Sequence, residues 1–214
     1  MKPIGLLGGT FDPIHYGHLR PAQEVLRALD LAEVRIIPAA NPPHRRVPVA
    51  STEQRLRMAE LAVAEFPGMR VDDREIIRGG PSYTVLTLES LRQEFGARPL
   101  CLLLGQDAFG GIETWHEWQR LPELAHFVVM TRPGWAMPAA AALPAWARDR
   151  LARAASDLAR TSAGTIYFQT VTPQDISATR IREAVARHEP VDGLAPPAVL
   201  EYLRANRIYL NREN

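Results

Sequence analysis

The residues best suited to chemistry form one segment near the N-terminus, Gly-Gly-Thr-Phe-Asp-Pro-Ile-His-Tyr-Gly-His at positions 8–18. The segment follows an apolar run at Ile4–Leu7 that predicts a strand, and it precedes a helix that we expect to begin near Tyr16. Two adjacent glycines let the backbone turn tightly and bring its amides close to a ligand. The start of the helix adds unpaired N–H groups and the positive end of a helix dipole. This arrangement indicates a phosphate-binding turn.

Two histidines in this segment, His15 and His18, lie three residues apart and should point to one side at the start of the helix. Gly17 between them removes a side chain that could block a ligand. Each imidazole can donate a hydrogen bond to a phosphate oxygen, and a nearby polyphosphate would favour the protonated ring. One alternative is that the two histidines cap the helix or pack against it. A second is a zinc site, although the neighbouring sequence offers no suitable third ligand. The strand-turn-helix context favours phosphate binding over both.

A second polar group occurs far downstream, at Ile-Ser-Ala-Thr-Arg-Ile-Arg, positions 176–182. Ser177 stands where it can cap a helix, and Arg180 and Arg182 follow close to the helix start. Hydroxyls, free amides and guanidinium groups are thereby gathered at one helix start, which suits an anion. A serine-capped helix with arginines is common without any ligand, so this segment alone is weak evidence.

Short branched apolar runs alternate with segments of helical spacing along the chain, which predicts a doubly wound α/β domain with a mostly parallel, Rossmann-like sheet and a small C-terminal helical part. Ligands of such sheets bind at the carboxyl ends of the strands, where the winding direction reverses. A less regular strand is expected at Val71–Ile77, at a sheet edge. The predicted buried strands are Ile4–Leu7, Val34–Ile37, Leu100–Leu104, Phe127–Met130 and Thr165–Phe168.

Three helices can be placed from their side-chain pattern. One carries Leu19, Ala22, Leu26 and Leu29; another carries Leu88, Leu91 and Phe95 and is closed by Gly96; a third begins with a capping box of Ser51 and Gln54. We expect one domain over residues 1–214. Its core would span about 1–132 and 165–187, with a peripheral insertion at about 133–164 and a C-terminal helical appendage at about 188–214.

The whole-chain composition excludes several classes of protein. The 214 residues are 46% hydrophobic and carry a net charge of +1, so nothing suggests binding to nucleic acid or to an acidic membrane. The single cysteine, Cys101, lies in an apolar run and predicts an inert buried thiol. No apolar run approaches the roughly 18 residues of a membrane span, and the N-terminal apolar run at Ile4–Leu7 is much shorter than a signal core. A cytoplasmic protein is expected, as a monomer or small homo-oligomer.

Both polar segments resemble the signatures of one superfamily, the adenylyl- and cytidylyltransferases. The first matches Gly-x-Phe-x-Pro-x-His-x-Gly-His at every fixed position, namely Gly9, Phe11, Pro13, His15, Gly17 and His18. The second is similar to Ile-Ser-Ser-Thr-x-x-Arg, with Ala178 in place of a serine. The resemblance implies that Ser177, Thr179 and Arg182 hold the β- and γ-phosphates of ATP. It also implies that Gly8, Gly9, Thr10 and Phe11 contact ATP.

Three intervening segments could recognise the second substrate: residues 41–45 (Asn-Pro-Pro-His-Arg), 81–84 (Pro-Ser-Tyr-Thr), and 105–109 with 114–116. By chemistry alone, Trp115 can stack on an aromatic ring, Asp107 can accept ribose hydroxyls, and Thr84 at a helix start can hold a small carboxylate. The alternatives are core packing for Trp115, a helix cap for Asp107 and a rigid loop for the two prolines.

The combination of these segments resembles the bacterial nicotinate-mononucleotide adenylyltransferases. The resemblance implies that Tyr83, Thr84 and Trp115 contact nicotinate and that Asp107 contacts a ribose. It further implies that Asn41, His44, Gly105 and Arg132 surround the nucleotide. The expected substrates are ATP, with Mg²⁺, and nicotinate mononucleotide.

The implied reaction is in-line attack of the acceptor phosphate on the α-phosphorus of ATP, with pyrophosphate leaving and nicotinate adenine dinucleotide formed. His15, His18 and Arg182 would be catalytic, and no protein nucleophile is needed. Mg²⁺ would be held by the nucleotide and water, since the sequence has no dedicated carboxylate cluster. Other acceptors (nicotinamide mononucleotide or phosphopantetheine), a cytidylyltransferase of alcohol phosphates, a nucleotide-sensing module without turnover and a metal-binding structural protein remain alternatives.

Overall fold

A single parallel sheet of six strands organises the protein, whose computed structural model describes residues 1–42, 47–134 and 143–210. The strand order is β3-β2-β1-β4-β5-β6, and every neighbouring pair is parallel. This confirms the predicted α/β class. The strands are β1 Ile4–Gly9, β2 Glu33–Pro38, β3 Met69–Val71, β4 Leu100–Gly105, β5 His126–Thr131 and β6 Ile166–Thr170.

Helices cover both faces of the sheet, which explains why its inner strands are apolar throughout. All of Leu100–Leu104 in β4 is buried, for example. The helices are α1 Tyr16–Ala28, α2 Thr52–Val63, α3 Arg74–Arg78, α4 Thr84–Phe95, α5 Gln106–Gly110, α6 Leu121–Leu124, α7 Ala145–Arg148, α8 Ala178–Ala186 and α9 Pro197–Ala205.

The helix ends use the local chemistry that the sequence predicts. The Gln54 amide donates to Ser51 Oγ at 3.2 Å and the Ser51 amide donates to Gln54 Oε1 at 2.9 Å, so the capping box of α2 is confirmed. Gly96 ends α4 in the left-handed region, with φ of 54°. Ser177 caps α8 by accepting a hydrogen bond from the Arg180 amide at 3.2 Å.

The strand predicted at Val71–Ile77 is wrong over most of its length. β3 ends at Val71, and the chain turns at once into α3. The turn is fixed by Asp72, whose carboxylate accepts the Arg74 amide at 3.2 Å and the Arg74 guanidinium at 2.7 Å. An acidic side chain that bonds the backbone two residues onward competes with strand pairing. Because Asp72 also accepts from Arg35 of β2, at 2.8 Å, the turn is tied to the sheet.

Two hydrophobic cores fill the space between sheet and helices. One lies under α1, α2, α8 and α9, and the other under α4, α6 and α7. Ala147 of the predicted insertion and Leu203 of the predicted appendage are each at most 1% exposed. The division of the chain into core, insertion and appendage stays a prediction. Burial raises the pKa of the Cys101 thiol to about 12, consistent with an inert side chain.

The strand order places a crevice between β1 and β4. From β1 the chain continues to β2 and β3 on one side, whereas β4 leads to β5 and β6 on the other. The loops that leave the carboxyl ends of β1 and β4 therefore diverge, and such reversal points bind ligands in open α/β sheets. In the stretches that the structure describes, no helix has the length and apolar character needed to cross a bilayer.

Candidate active site

The turn after β1 has an open side and a packed side. A Cβ atom at Gly8 would have no neighbour within 4 Å, but one at Gly9 would lie 2.7 Å from the Phe11 ring. Phe11 adopts φ of 49°, and its ring meets the His18 ring edge-on at 5.1 Å between centroids. The packed side thus fixes His18, and the open side leaves the backbone at Gly8 accessible to a ligand.

The two histidines form one stacked unit at the start of α1. Their ring centroids are 3.8 Å apart with 29° between the planes, and the His15 amide donates to His18 Nδ1 at 3.3 Å. Since Nδ1 of His18 accepts a hydrogen bond, the neutral ring carries its proton on Nε2. His18 can therefore donate from the nitrogen that faces away from its own backbone.

His15 is a buried, neutral imidazole. His15 is 5% exposed, and its burial lowers the pKa of the imidazole to about 4. Its Nδ1 atom has no hydrogen-bond partner among the residues that the structure describes. Protonation by a bound polyphosphate, as the sequence suggested, would have to overcome this desolvation.

Gly17 joins the two predicted phosphate-binding segments. A Cβ atom at this position would lie 2.8 Å from the His15 ring and 3.1 Å from the backbone oxygen of Ile176. The absence of a side chain therefore lets the start of α1 approach the loop that precedes α8.

Arg182 bridges the same two segments by hydrogen bonds. Its Nη1 donates to the backbone oxygen of Asp12 at 2.7 Å, and its Nη2 donates to Thr179 Oγ1 at 3.2 Å. Ser177 and Thr179 are exposed at the start of α8. The structure thus brings the predicted catalytic residues and the predicted phosphate-binding hydroxyls to one place.

Arg55 of α2 supports the site and was missed by the sequence reasoning. It is 1% exposed and donates to three backbone oxygens: Thr10 at 2.8 Å, Ala39 at 2.6 Å and Ala40 at 3.1 Å. Burial lowers its pKa from the usual arginine value, although a guanidinium remains charged in proteins. The available signal was its position on the apolar face of α2, one turn before Met58 and Ala59.

A first cavity of about 310 Å³ opens beside the turn, on the side of α4. The rings of Tyr83 and His116 stack at its wall, 4.1 Å apart. α4 begins at Thr84, also in the wall. The predicted site residues that line this cavity are Gly8, Gly9, Thr10, Tyr83, Thr84 and Trp115.

Asn41 ties two rim loops of this cavity together. Its side-chain nitrogen donates to the Gly80 oxygen at 3.3 Å, and its amide donates to Ser82 Oγ at 3.1 Å. The Ser82 amide returns a bond to the Asn41 oxygen at 3.0 Å. Asn41 thus supports the rim through the loop that carries Tyr83 and Thr84. His44 lies outside the described residues.

A second cavity, of about 460 Å³, opens at the carboxyl ends of β4, β5 and β6. It is lined by Gly17 and by the predicted site residues Gly105, Asp107 and Arg132. The structure therefore does not bring these three residues to the cavity of Tyr83, Thr84 and Trp115. The turn of residues 8–18 lines both cavities: Gly8 and Gly9 line the first, and Gly17 lines the second.

Across residues 1–42, 47–134 and 143–210, no cluster of three or more histidine, cysteine or acidic side chains could hold a metal ion. The backbone amides of the turn and the guanidinium of Arg182 are hydrogen-bond donors, which suit phosphate oxygens.

Comparison with known proteins places this geometry in a family. The Cytidylyltransferase-like family model matches residues 6–184. An Aeromonas hydrophila protein named "Probable nicotinate-nucleotide adenylyltransferase" is 49% identical over 211 residues, covering 97% of each chain. A Halorhodospira halophila protein of the same name is 51% identical over 199 residues, covering 93% of this chain and 91% of its own. The chain belongs to the nicotinate-nucleotide adenylyltransferase family.

A solved structure has the same fold as this adenylyltransferase. The Plasmodium falciparum nicotinic acid mononucleotide adenylyltransferase complexed with NaAD superposes with a TM-score of 0.72 at 14% identity, covering 98% of both chains. At that identity the likeness concerns the fold. It confirms the Rossmann-like fold, and the sequence relatives confirm the enzyme class and the association with NAD biosynthesis.

Gly17→Ala tests whether the close approach of the two segments matters to this adenylyltransferase. The added methyl would push against the His15 ring and the Ile176 oxygen, so we expect kcat/KM to fall about 100-fold, as for a small displacement of positioned groups. Steady-state kinetics would be compared with Gly110→Ala, where a Cβ meets nothing within 4 Å. Equal activities of the two variants would contradict the account.

The pH dependence of unfolding tests the burial of neutral His15. In the unfolded chain His15 binds a proton below about pH 6.5, whereas in the folded chain it does so only below about pH 4. The free energy of unfolding therefore falls as the pH is lowered from about 6.5 to about 4. The difference between 6.5 and about 4 corresponds to a loss of about 3 kcal/mol.

Urea unfolding of the wild type and of His15→Asn, between pH 7 and pH 4.5, measures this loss. The stability difference between the two proteins should shrink as the pH falls. The exposed His188 provides the control, because His188→Asn should track the wild type at every pH. A pH-independent difference for His15→Asn would mean that His15 is not held neutral by burial.

Proposed function

We propose that the enzyme transfers the adenylyl group of ATP to nicotinate mononucleotide, releasing pyrophosphate and forming nicotinate adenine dinucleotide. One observation carries the proposal: a turn with two stacked histidines contributes to the walls of two cavities and is bonded through Arg182 to a second anion-binding helix start. A reaction that joins two nucleotides through their phosphates needs two nucleoside sites that meet at one phosphate site.

ATP is assigned to the second cavity and the adjacent helix starts. The loop before α8 lines this cavity through Thr172 and Gln174, and the same loop leads to Ser177 and Thr179. A triphosphate held at α8 would therefore leave its adenosine in the second cavity. On this assignment Gly105, Asp107 and Arg132 surround the adenosine, with Asp107 available to a ribose hydroxyl, rather than the acceptor nucleotide.

The acceptor is assigned to the first cavity. Its aromatic wall of Tyr83 and Trp115 suits a pyridine ring. The start of α4 at Thr84 offers a hydroxyl and backbone amides, which favour the carboxylate of nicotinate over a neutral amide. Asn41, and His44 by resemblance, would act at the rim.

The mechanism relies on positioning and charge stabilisation. An oxygen of the acceptor phosphate attacks the α-phosphorus of ATP, and the bond from that phosphorus to the β-phosphate oxygen breaks, so pyrophosphate leaves. His18 donates from Nε2 to the α-phosphate oxygen as negative charge accumulates. His15 holds the His18 ring by stacking and, although neutral, can donate one hydrogen bond to phosphate. Arg182, Ser177 and Thr179 hold the departing pyrophosphate.

Mg²⁺ fits this scheme as a companion of ATP. A hard cation that keeps most of its waters can bind the phosphate oxygens and reduce their charge without a carboxylate cage. His15, His18 and Arg182 would then bind the remaining phosphate oxygens.

An acceptor panel tests the proposed function. The purified protein, with ATP and Mg²⁺, is given in turn nicotinate mononucleotide, nicotinamide mononucleotide and phosphopantetheine, and pyrophosphate release is followed. We expect the highest kcat/KM with nicotinate mononucleotide. Similar values for the two pyridine nucleotides would contradict the carboxylate recognition, and release only with phosphopantetheine would contradict the proposed acceptor.

In the same assay, His18→Ala should lower kcat about 10²–10³-fold because one donor to the developing charge is lost. The KM for ATP should change little, since the remaining phosphate contacts stay in place. His188→Ala, at an exposed histidine beyond α8, serves as the control and should retain wild-type turnover. Full turnover by His18→Ala would remove the role assigned to this ring.

A further inference from the structure

The C-terminal segment reaches the phosphate-binding turn through one buried hydrogen bond. The hydroxyl of Tyr209 donates to Asp12 Oδ1 at 2.7 Å, across 197 residues of sequence. Both residues are only 7% exposed. Tyr209 follows α9 and packs into the core beneath α1 and α2. A residue in the predicted C-terminal appendage thus contacts the middle of the first signature.

Asp12 is the point where several parts of the site are joined. Its carboxylate also accepts the Val49 amide at 2.8 Å and the Ala50 amide at 3.0 Å. Its backbone oxygen accepts Nη1 of Arg182 at 2.7 Å. A displacement of Asp12 would therefore move one anchor of the Arg182 guanidinium and release the chain just before α2.

The segment that carries Tyr209 is held in a costly backbone conformation. Arg207 has φ of 49° and Tyr209 has φ of 68°, the left-handed region that residues with a Cβ disfavour. Such conformations persist where the surroundings over-determine them. Here the Ile208 amide donates to the Leu203 oxygen at 3.0 Å, and the Ile208 side chain is buried.

The protonation state of Tyr209 is settled by its surroundings. Burial, and after it the hydrogen bond to Asp12, raises the pKa of the phenol, so it remains a donor at every physiological pH. A phenylalanine at position 209 would keep the ring in the core but would remove the hydroxyl. Among the described residues, the Ala50 amide would then be the remaining donor to Asp12 Oδ1.

We propose that Tyr209 is a positioning residue for phosphoryl chemistry: through Asp12 it fixes the Arg182 guanidinium that holds the leaving pyrophosphate. The inference rests on the proposed function, because that function gives Arg182 its role. The C-terminal segment is then part of the active-site support, and its hydroxyl acts on kcat more than on acceptor binding.

The test compares Tyr209→Phe with Tyr202→Phe. Tyr202 belongs to α9 and packs against the same core, so its variant controls for loss of a hydroxyl from this region. With ATP and nicotinate mononucleotide, Tyr209→Phe should lower kcat about tenfold while the acceptor KM stays within about twofold, as for a displaced positioning group. Tyr202→Phe should match the wild type in both constants.

Hydrogen exchange supplies a readout that needs no turnover. In the wild type, a non-hydrolysable ATP analogue should slow exchange of the Val49 and Ala50 amides, because a bound triphosphate orders Arg182 and with it Asp12. In Tyr209→Phe the same two amides should exchange faster than in Tyr202→Phe and gain less protection from the analogue. If Tyr209→Phe does not fold, the wild-type measurement still tests the step from Arg182 to Asp12 on which the positioning role depends.

The outcomes separate the two claims. Wild-type protein that transfers no adenylyl group to nicotinate mononucleotide would end the proposed function, while altered exchange at Val49 and Ala50 would still support the link from Tyr209 to Asp12. An active wild type with kcat and exchange alike in both variants would overturn the positioning role. Unchanged exchange at both amides when the analogue binds the wild type would overturn it as well.

Discussion

A buried guanidinium sets the geometry on which the site depends. Arg55 of α2 bonds the backbone oxygens of Thr10, Ala39 and Ala40, which lie just beyond the carboxyl ends of β1 and β2. Loop oxygens buried without partners would cost about 1–3 kcal/mol each, and a buried charge without partners would cost more. The cation and the loops therefore satisfy each other, and the turn that begins at Thr10 leaves the sheet in one direction. Asp12, two residues further, then anchors Arg182.

The division of the site into two cavities follows from the strand order. β1 and β4 are neighbours, and the connections from them run to opposite sides of the sheet. Loops after β1, β2 and β3 line one cavity together with Trp115 and His116 from the chain after β4. Loops after β4, β5 and β6 line the other together with the start of α1 at Gly17. The Gly-His turn after β1 lies at the boundary, since Gly8 and Gly9 line one cavity and Gly17 lines the other. One phosphate site between two nucleoside sites is the arrangement that adenylyl transfer requires.

Much of this could be predicted from sequence because the signals are local. Apolar runs predicted the strands, the capping box of Ser51 predicted the start of α2, and two short signatures predicted polar groups that the structure brings together. Contacts between distant residues leave only weak signals in the sequence. Arg55 was marked only by its position on the apolar face of α2, and it was missed for this reason. The strand expected at Val71–Ile77 failed because one side chain, Asp72, redirects the backbone. Spacing also could not separate Asp107 from Trp115, since nearby residues after one strand diverge to different cavities.

The most direct test of the two-cavity account is a pair of Michaelis constants measured in two variants. Trp115→Ala removes aromatic surface from the first cavity, and Asp107→Ala removes a hydrogen-bond acceptor from the second. The account predicts that Trp115→Ala raises the KM for nicotinate mononucleotide about tenfold with little change for ATP, and that Asp107→Ala does the reverse. An Asp107→Ala enzyme impaired for nicotinate mononucleotide but not for ATP would contradict it.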